Sequence, residues 1–190
     1  MILLTPVPAA AADMAKGLAA AKEGDYATAL NEWLPLARDG NASAQFDVGQ
    51  LYRLGRGVDQ DYVKALQWYE KAADQWHAAA RYNLAVLYER GLGVPVDHAK
   101  AVEWYRKAAN LDYAYAQFNL AVKYSLGQGT KRDLVKAYTW YAIAADRGID
   151  DATENRDRVA MMMTDAQIRH ARENARAWIE WRKEEWRKEE

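Results

Sequence analysis

The chain has 190 residues, of which 26 are basic and 27 acidic, so its charge balance gives no argument for binding nucleic acid or an anionic membrane. It contains no cysteine, which excludes disulfides and thiolate metal sites. No stretch reaches the roughly 18 to 20 apolar residues of a transmembrane helix, so we expect no membrane insertion.

The N-terminal stretch has the composition of an export signal. Residues 2–12 read ILLTPVPAAAA and Asp13 follows, a pattern typical of the apolar region and small-residue cleavage site of secretory signals. No Lys or Arg precedes the apolar run, so we interpret residues 1–12 either as the remnant of a signal peptide or as a disordered leader. The first alternative predicts a periplasmic or secreted protein, and the second leaves a cytoplasmic protein open.

From residue 25 onward the sequence repeats with a period of 36 residues, and a fixed period of about 20 to 50 residues is typical of repeat architectures. Three full modules are predicted at residues 44–79, 80–115 and 116–151. A half-module at 25–43 precedes them, because Asp25 stands 36 residues before Asp61. The repeat domain is therefore predicted over residues 13–163, beginning with a single helix of the second type.

Eleven columns are identical in the three full modules. They are represented in the first module by Ala44, Tyr52, Gly55, Gly57, Asp61, Lys64, Ala65, Trp68, Tyr69, Ala72 and Ala73. The alanines, tyrosines and tryptophans recur at helical spacing, which places them on one face of each helix. Glycine ends a helix by adopting positive φ, and aspartate caps the start of the next one.

Each module is therefore predicted to be a helix, a glycine turn and a second helix. A single hairpin leaves one apolar side uncovered, and stacking on neighbouring hairpins covers it. We predict an all-α fold, an α/α superhelical repeat solenoid of 36-residue helix-turn-helix modules. The recurrent Trp and Tyr are interpreted as core residues, and Trp104→Ala is expected to cost roughly 3 to 5 kcal/mol.

Residues 80–109 read ARYNLAVLYERGLGVPVDHAKAVEWYRKAA, which resembles the module of the Sel1-like repeat family, relatives of the tetratricopeptide repeats. The resemblance covers about residues 25–155. It implies an α/α superhelix that holds protein or peptide partners, often in bacterial envelope, secretion or signalling settings. Some secreted members carry a disulfide in each hairpin, which this chain lacks. The third module also has Ile143 in place of Lys71 and Lys107.

A column of polar residues on the first helices is the candidate binding site. Asp47, Asn83, Asn119 and Asn155 share one offset, and Arg81 and Gln117 flank them. An amide has donors and an acceptor that can bind the backbone of an extended peptide. We predict that this ladder faces the concave side and binds a partner. The alternative is that each Asn bonds a backbone group of the adjacent repeat.

Residues 164–190 are predicted to form a capping helix with a Trp-rich charged tail. Thr164 and Gln167 form a capping-box pattern. The helix has an apolar stripe made of Ile168, Ala171, Ala175, Trp178, Trp181 and Trp186. We expect its first half to seal the last repeat. The duplicated WRKEE at 181–190 extends further, and Trp181 and Trp186 are candidate contacts for a protein partner or a second copy of the chain.

No pattern of catalytic or metal-binding residues accompanies the repeat. His77, His98 and His170 are far apart in the sequence, and no phosphate-binding loop or nucleophile elbow is present. We therefore expect no cofactor, no metal and no catalytic residue. The sequence favours a non-catalytic scaffold that binds a protein or peptide. The alternatives are a structural homo-oligomer assembled through the terminal helices and, with less support, a secreted hydrolase.

Overall fold

The computed structural model describes residues 12–189, and side chains up to residue 185. Within that range the chain forms ten helices and no strand, which confirms the all-α fold class. The helices are α1 (Met14–Lys22), α2 (Tyr26–Arg38), α3 (Ala42–Leu54), α4 (Tyr62–Asp74), α5 (Ala78–Arg90), α6 (His98–Ala109), α7 (Ala114–Leu126), α8 (Leu134–Asp146), α9 (Asp150–Ala160) and α10 (Asp165–Glu189).

The helices fall into two compact units that divide between Val96 and Asp97. The first unit contains α1 to α5 and the second contains α6 to α10. The first helices of the modules are α3, α5 and α7, and the second helices are α4, α6 and α8. The predicted helix-turn-helix order of all three modules is therefore confirmed.

The glycine turn ends each first helix and lets neighbouring segments approach closely. Gly55 caps α3 with φ 65°, and Gly57 has φ 70°. A Cβ on Gly57 would lie 2.7 Å from the carbonyl carbon of Tyr26 at the start of α2. Both the left-handed backbone and the lack of space therefore favour glycine at this position.

Aspartate begins each second helix as predicted. The Oδ1 atoms of Asp61, Asp97 and Asp133 each accept a hydrogen bond of 2.9 Å from the backbone N–H three residues later. These bonds satisfy one of the amides that lack a partner in the first turn of a helix. The turn and the cap together fix where each module changes from its first helix to its second.

The core consists mainly of recurrent alanines and tyrosines together with leucine and other aliphatic residues. The prediction that the recurrent tryptophans are core residues is wrong. Tyr69 and Tyr105 have no exposed side-chain surface, and Tyr141 is 2% exposed. Trp68, Trp104 and Trp140 are only half-buried. Adjacent residues on a helix point about 100° apart, so the Tyr ring is buried while the larger Trp ring next to it reaches a more exposed side of the helix. The Trp rings lie at its edge.

The stack begins with a pair of helices, whereas the sequence predicted a single one. Helix α1 packs on α2, with Gly17 directly against the indole of Trp33. The Trp33 indole N–H donates to the Met14 carbonyl at 3.3 Å, and the buried Glu32 pairs with Lys16. The repeat columns do not extend into α1, so the period did not reveal it.

The C-terminal helix covers the last second helix. The Thr164 N–H donates to Gln167 Oε1 at 2.9 Å and the Gln167 N–H donates to Thr164 Oγ1 at 3.3 Å, which confirms the capping box. Helix α10 packs on α8, and Ala171 and Ala175 are buried. Within the described residues, α10 therefore covers part of α8.

Candidate functional site

The first helices present half-buried side chains at recurrent columns, and we call these residues the first-helix surface. In the first unit it comprises Phe46, Asp47, Gln50 and Arg53 on α3 and Tyr82, Asn83 and Val86 on α5. In the second unit it comprises Phe118, Asn119, Val122 and Ser125 on α7 and Asn155 on α9. Each of these side chains is partly exposed. The four members of the predicted ladder all lie on this surface.

Two ladder amides bond to their own helix rather than to the adjacent repeat. Asn83 Nδ2 donates to the Ala79 carbonyl at 2.9 Å, and Asn155 Nδ2 donates to the Asp151 carbonyl at 2.7 Å. Such a bond fixes the side-chain rotamer and uses one of the two amide hydrogens. The carboxamide oxygen and the second hydrogen keep their capacity to bind a ligand.

The residues that flank the ladder have a structural task. Arg81 and Gln117 are 8% and 0% exposed. Arg81 Nε donates to the Ala73 carbonyl at 2.9 Å, and Gln117 Nε2 donates to the Ala109 carbonyl at 3.3 Å. Gln45, in the same column, donates to the Ala37 carbonyl at 3.0 Å. Each side chain thus joins a first helix to the end of the preceding helix.

These three hydrogen bonds were not predicted from the sequence, because the residue at this column is not identical between modules. Gln45, Arg81 and Gln117 differ in charge, but in each case a side-chain N–H donates to the backbone carbonyl eight residues earlier. The available signal was the shared donor chemistry of the column. The burial of Arg81 and Gln117 leaves little of either side chain for a partner.

A hydrogen-bonded network lies on α3 in the first unit. The Tyr69 hydroxyl donates to Gln50 Oε1 at 2.6 Å, and Arg53 Nε donates to the same oxygen at 2.8 Å. Burial raises the pKa of Tyr69 well above its ordinary value, although Arg53 partly offsets that shift. The phenol therefore stays neutral, and the network holds Gln50 and Arg53 in fixed positions.

The second unit has a less charged version of this surface. The ring of Phe118 meets Tyr141 at a centroid distance of 5.5 Å. Burial raises the pKa of Tyr141, and its neighbour Ser125 partly offsets the shift. Val122 occupies the column in which Gln50 lies on α3. The surface of α7 is therefore more apolar than that of α3.

Asp47 is the ladder member whose surroundings are unusual. It lines an open groove of about 260 Å³ together with residues of α1, α2 and α3. Among the residues described, it forms no hydrogen bond or ion pair. Burial raises the pKa of its carboxyl to about 6, because the charged form loses water without gaining a counter-ion.

The tail positions are only partly described. Trp178 contacts Trp140 of α8 at a ring-centroid distance of 5.9 Å and Trp181 at 6.3 Å. Trp181 is 48% exposed. The side chain of Trp186 lies outside the described residues, as do the first eleven residues of the predicted leader.

The described part of the chain contains no group of three or more His, Cys, Asp or Glu residues arranged to hold a metal. His77 instead caps α5, because its Nδ1 accepts from the Ala80 N–H at 3.2 Å. None of the helices within residues 12–189 has the length and apolar character needed to cross a membrane.

The Sel1 repeat family matches residues 42–75, 78–113 and 114–149, which together are more than half of the chain. The protein therefore belongs to the Sel1 repeat family, whose members are generally protein–protein interaction scaffolds. The search of curated proteins found no match to this sequence.

Solved structures support the same assignment. A Sel1 repeat protein from Oxalobacter formigenes is 34% identical over 76% of this chain and 59% of its own length, with a TM-score of 0.73. A protective antigen with an SLR fold from uropathogenic Escherichia coli is 28% identical over 88% of this chain and 43% of its own length, with a TM-score of 0.60. The chain thus spans less than two thirds of either structure.

The cysteine-rich protein B of Helicobacter pylori shares the fold alone. It is 21% identical over 63% of this chain and 94% of its own length, with a TM-score of 0.52. These likenesses identify the fold class as a helical repeat solenoid.

Proposed function

We propose that the protein is a non-catalytic scaffold that binds an extended segment of a partner protein or peptide on the first-helix surface. The observation that carries this proposal is the recurrence of half-buried, ligand-competent side chains at one offset, Asp47, Asn83, Asn119 and Asn155. An equal offset of the polar residue in each module of the sequence suits a ligand that is itself regular, such as an extended backbone.

The chemistry of the surface suits peptide binding. Asn83 and Asn155 are held by bonds to their own helices and keep an amide oxygen for a partner's backbone N–H. Phe118 and Val122 supply apolar contact between the polar positions. A rigid aromatic and amide surface loses little conformational entropy on binding.

The absence of catalysis is part of the proposal. Ser125 is the hydroxyl that α7 places on this surface, and it donates to the Val122 carbonyl at 2.9 Å. That bond does not activate a nucleophile, which requires a neighbouring base. We keep the secreted hydrolase as the less supported alternative. An esterase and peptidase screen of the purified chain tests it.

We also propose that the protein works in the bacterial cell envelope, in the periplasm or as a secreted protein. The support is the signal-like composition of residues 2–12 and the alanines before Asp13. Fractionation of cells that express the full chain tests this location. Recovery in the cytoplasm at full length would contradict it.

Site-specific photocrosslinking tests the binding surface. Benzoylphenylalanine at position 122 lies on the first-helix surface, and the same group at the exposed Glu103 lies on α6, in the same unit. We expect a specific adduct from position 122 and none from position 103. Equal adducts from both positions would contradict the proposed surface.

The variant Asn119→Ala separates binding from stability. We expect a weaker adduct from position 122 with an unchanged melting temperature, because the amide lies at the half-exposed surface. A large loss of stability would instead assign Asn119 to the packing of the modules. Glu103→Ala serves as the control, and it should change neither measurement.

A structural homo-oligomer is the second candidate function. Trp181 carries it, because this large apolar side chain is 48% exposed near the end of a long helix. Sedimentation equilibrium of the full chain and of Trp181→Ser tests the idea. A dimer that Trp181→Ser dissociates would support it, and a monomer at all concentrations would exclude it.

A further inference from the structure

The groove beside Asp47 has apolar walls and a carboxylate that nothing neutralises. Its walls are formed by Ala21, Tyr26, Trp33, Phe46, Leu51 and Leu54. One water occupies about 30 Å³ of liquid, so a groove of about 260 Å³ accepts one long side chain. A folded domain does not enter it.

The carboxylate itself is accessible. Asp47 forms no ion pair or hydrogen bond with the described residues, and its oxygens are not among the fully buried atoms without a partner. They are therefore reachable from the groove. A carboxylate that has lost part of its hydration binds a cationic donor more strongly than a neutral one.

The cations that line the groove, Lys22 and Arg56, and the nearby Arg53 do not fulfil this role. Arg56 lies over the ring of Tyr26, 5.0 Å from its centroid, and Arg53 bonds Gln50. Lys22 lines the groove from the end of α1. None of the three pairs with Asp47 in this structure.

The other modules give an internal comparison. The equivalent residues are Asn83, Asn119 and Asn155, which are neutral. An amide at this column binds a peptide backbone, whereas a carboxylate selects a positive charge. The change from Asn to Asp therefore distinguishes one position along an otherwise uniform ladder.

We propose that the Asp47 groove is a specificity pocket for an Arg or Lys side chain of the bound partner. The aliphatic stem of that side chain contacts Phe46, Leu51 and Leu54, and its charged end bonds the Asp47 carboxylate. This inference rests on the proposed function and adds the chemistry of the partner, a basic residue at the end of the segment that α3 binds.

An NMR titration tests the pocket directly. Acetyl-arginine methylamide and its neutral analogue acetyl-citrulline methylamide are added to the full chain labelled with ¹⁵N at pH 7.5. We expect the arginine compound to shift the amide signals of Phe46, Asp47, Leu51 and Leu54, with an affinity about tenfold higher than that of the citrulline compound. Equal affinities would overturn the proposal.

Asp47→Asn is the decisive variant because Asn is the residue that the other modules have. We expect it to abolish the preference for arginine while leaving the rest of the spectrum unchanged. Asp59→Asn makes the same change of net charge at an exposed position outside the groove, and it should keep the preference. Preference retained by Asp47→Asn would contradict the proposal.

Peptide selection separates this inference from the function on which it rests. Peptides selected on the full chain from a random library are tested against Asp47→Asn and Asn119→Ala. Arg- or Lys-dependent binding that Asp47→Asn removes supports the pocket. Binding that needs Asn119 but not Asp47 overturns the pocket and retains the scaffold. Failure to select any peptide, together with failure of the crosslinking, overturns both.

Discussion

Helices α6 and α8 belong to the same unit and share the Trp-Tyr-x-x-Ala-Ala pattern, but their outer sides have different surroundings. On α6 the ammonium of Lys107 lies over the half-buried Trp104, 4.0 Å from the ring centroid. On α8 the corresponding Trp140 contacts α10, and Ile143, which replaces the lysine, is 1% exposed. The same edge Trp therefore packs under a lysine or under another helix.

The comparison shows that the edge of the core is set by a few residues of the second helix. On α4 the arrangement is that of α6, with Lys71 at 4.3 Å from the ring centroid of Trp68. Three columns change together in the third module. Gln67, Glu70 and Lys71 of α4 correspond to Thr139, Ala142 and Ile143 of α8. Loss of the long polar side chains allows α10 to dock.

The largest expected effect on stability concerns the feature that α6 and α8 share, a buried Tyr next to a Trp at the edge of the core. Tyr105→Ala should lower the free energy of unfolding by about 3 to 5 kcal/mol, because it empties a fully buried site. Trp104→Ala should cost only about 1 to 2 kcal/mol, because the ring is half-exposed. Urea unfolding monitored by circular dichroism measures both. A larger loss for Trp104→Ala would contradict the assignment, and Tyr105→Phe is the conservative control.

Exchanging the residue that distinguishes α6 from α8 tests the comparison itself. Ile143→Lys should cost about 3 kcal/mol, because it places a charge at a position that is 1% exposed. Lys107→Ile should change stability by about 0.5 kcal/mol or less, because that side chain is partly exposed and its contacts with Trp104 and Glu103 are weak surface interactions. Urea unfolding of the two variants gives the difference. Equal costs would show that α10 is not what makes the two surfaces different.

The helix-turn-helix order of the modules could be predicted from the sequence because its signals are local. The turn needs positive φ at positions 55 and 57, which glycine adopts readily, and Asp61 caps its helix by accepting from the amide three residues later. Which of two adjacent aromatic residues is buried depends instead on neighbouring helices. The period alone therefore did not separate Trp68 from Tyr69, although the lysine three residues after the Trp was a usable signal.

The candidate site was harder to predict because the position of a residue within the module does not determine whether its side chain is buried. Arg81 has a charged side chain next to the ladder, yet it is buried and bonds the Ala73 carbonyl. The groove beside Asp47 is lined in part by residues of α1 and α2, which lie outside its module. Helix α1 has no copy elsewhere in the sequence, so the groove had no signal in the repeat.

A smaller effect on stability is expected at the column of the first helices that contains Asp47, where the other modules have Asn. Burial raises the pKa of Asp47 from an ordinary 3.8 to about 6, so the protonated form favours the folded state. Its contribution is complete below about pH 4 and is lost as the pH rises through 6. After allowance for solvent screening, Asp47→Asn should stabilise the protein by about 1 kcal/mol at pH 8 and hardly at all at pH 4.

Urea unfolding of Asp47→Asn at the two pH values measures this effect. Asp59→Asn, at an exposed site, should show no such pH dependence. A stabilisation by Asp47→Asn that is equal at pH 4 and pH 8 would assign the effect to packing. The Asp47 carboxylate would then not be a buried charge without a counter-ion.

The smallest expected effect concerns the residue that follows each second helix. Trp76 has φ 65°, whereas the equivalent residue after α8 is Gly148 with φ 82°. A left-handed backbone is unfavourable for a side chain with a Cβ. Trp76 is 69% exposed, and the guanidinium of Arg81 lies 4.5 Å from its ring centroid. Trp76→Gly should therefore relieve strain and lose one cation–π contact, for a net gain of about 0.5 kcal/mol in the free energy of unfolding, measured in urea.

The double variant with Arg81→Gln, the residue that the other modules have at this column, separates the relief of backbone strain from the loss of the cation–π contact. If Trp76→Gly destabilises the chain only when Arg81 is present, the Trp–Arg contact outweighs the strain, and the end of α4 is stabilised differently from the end of α8.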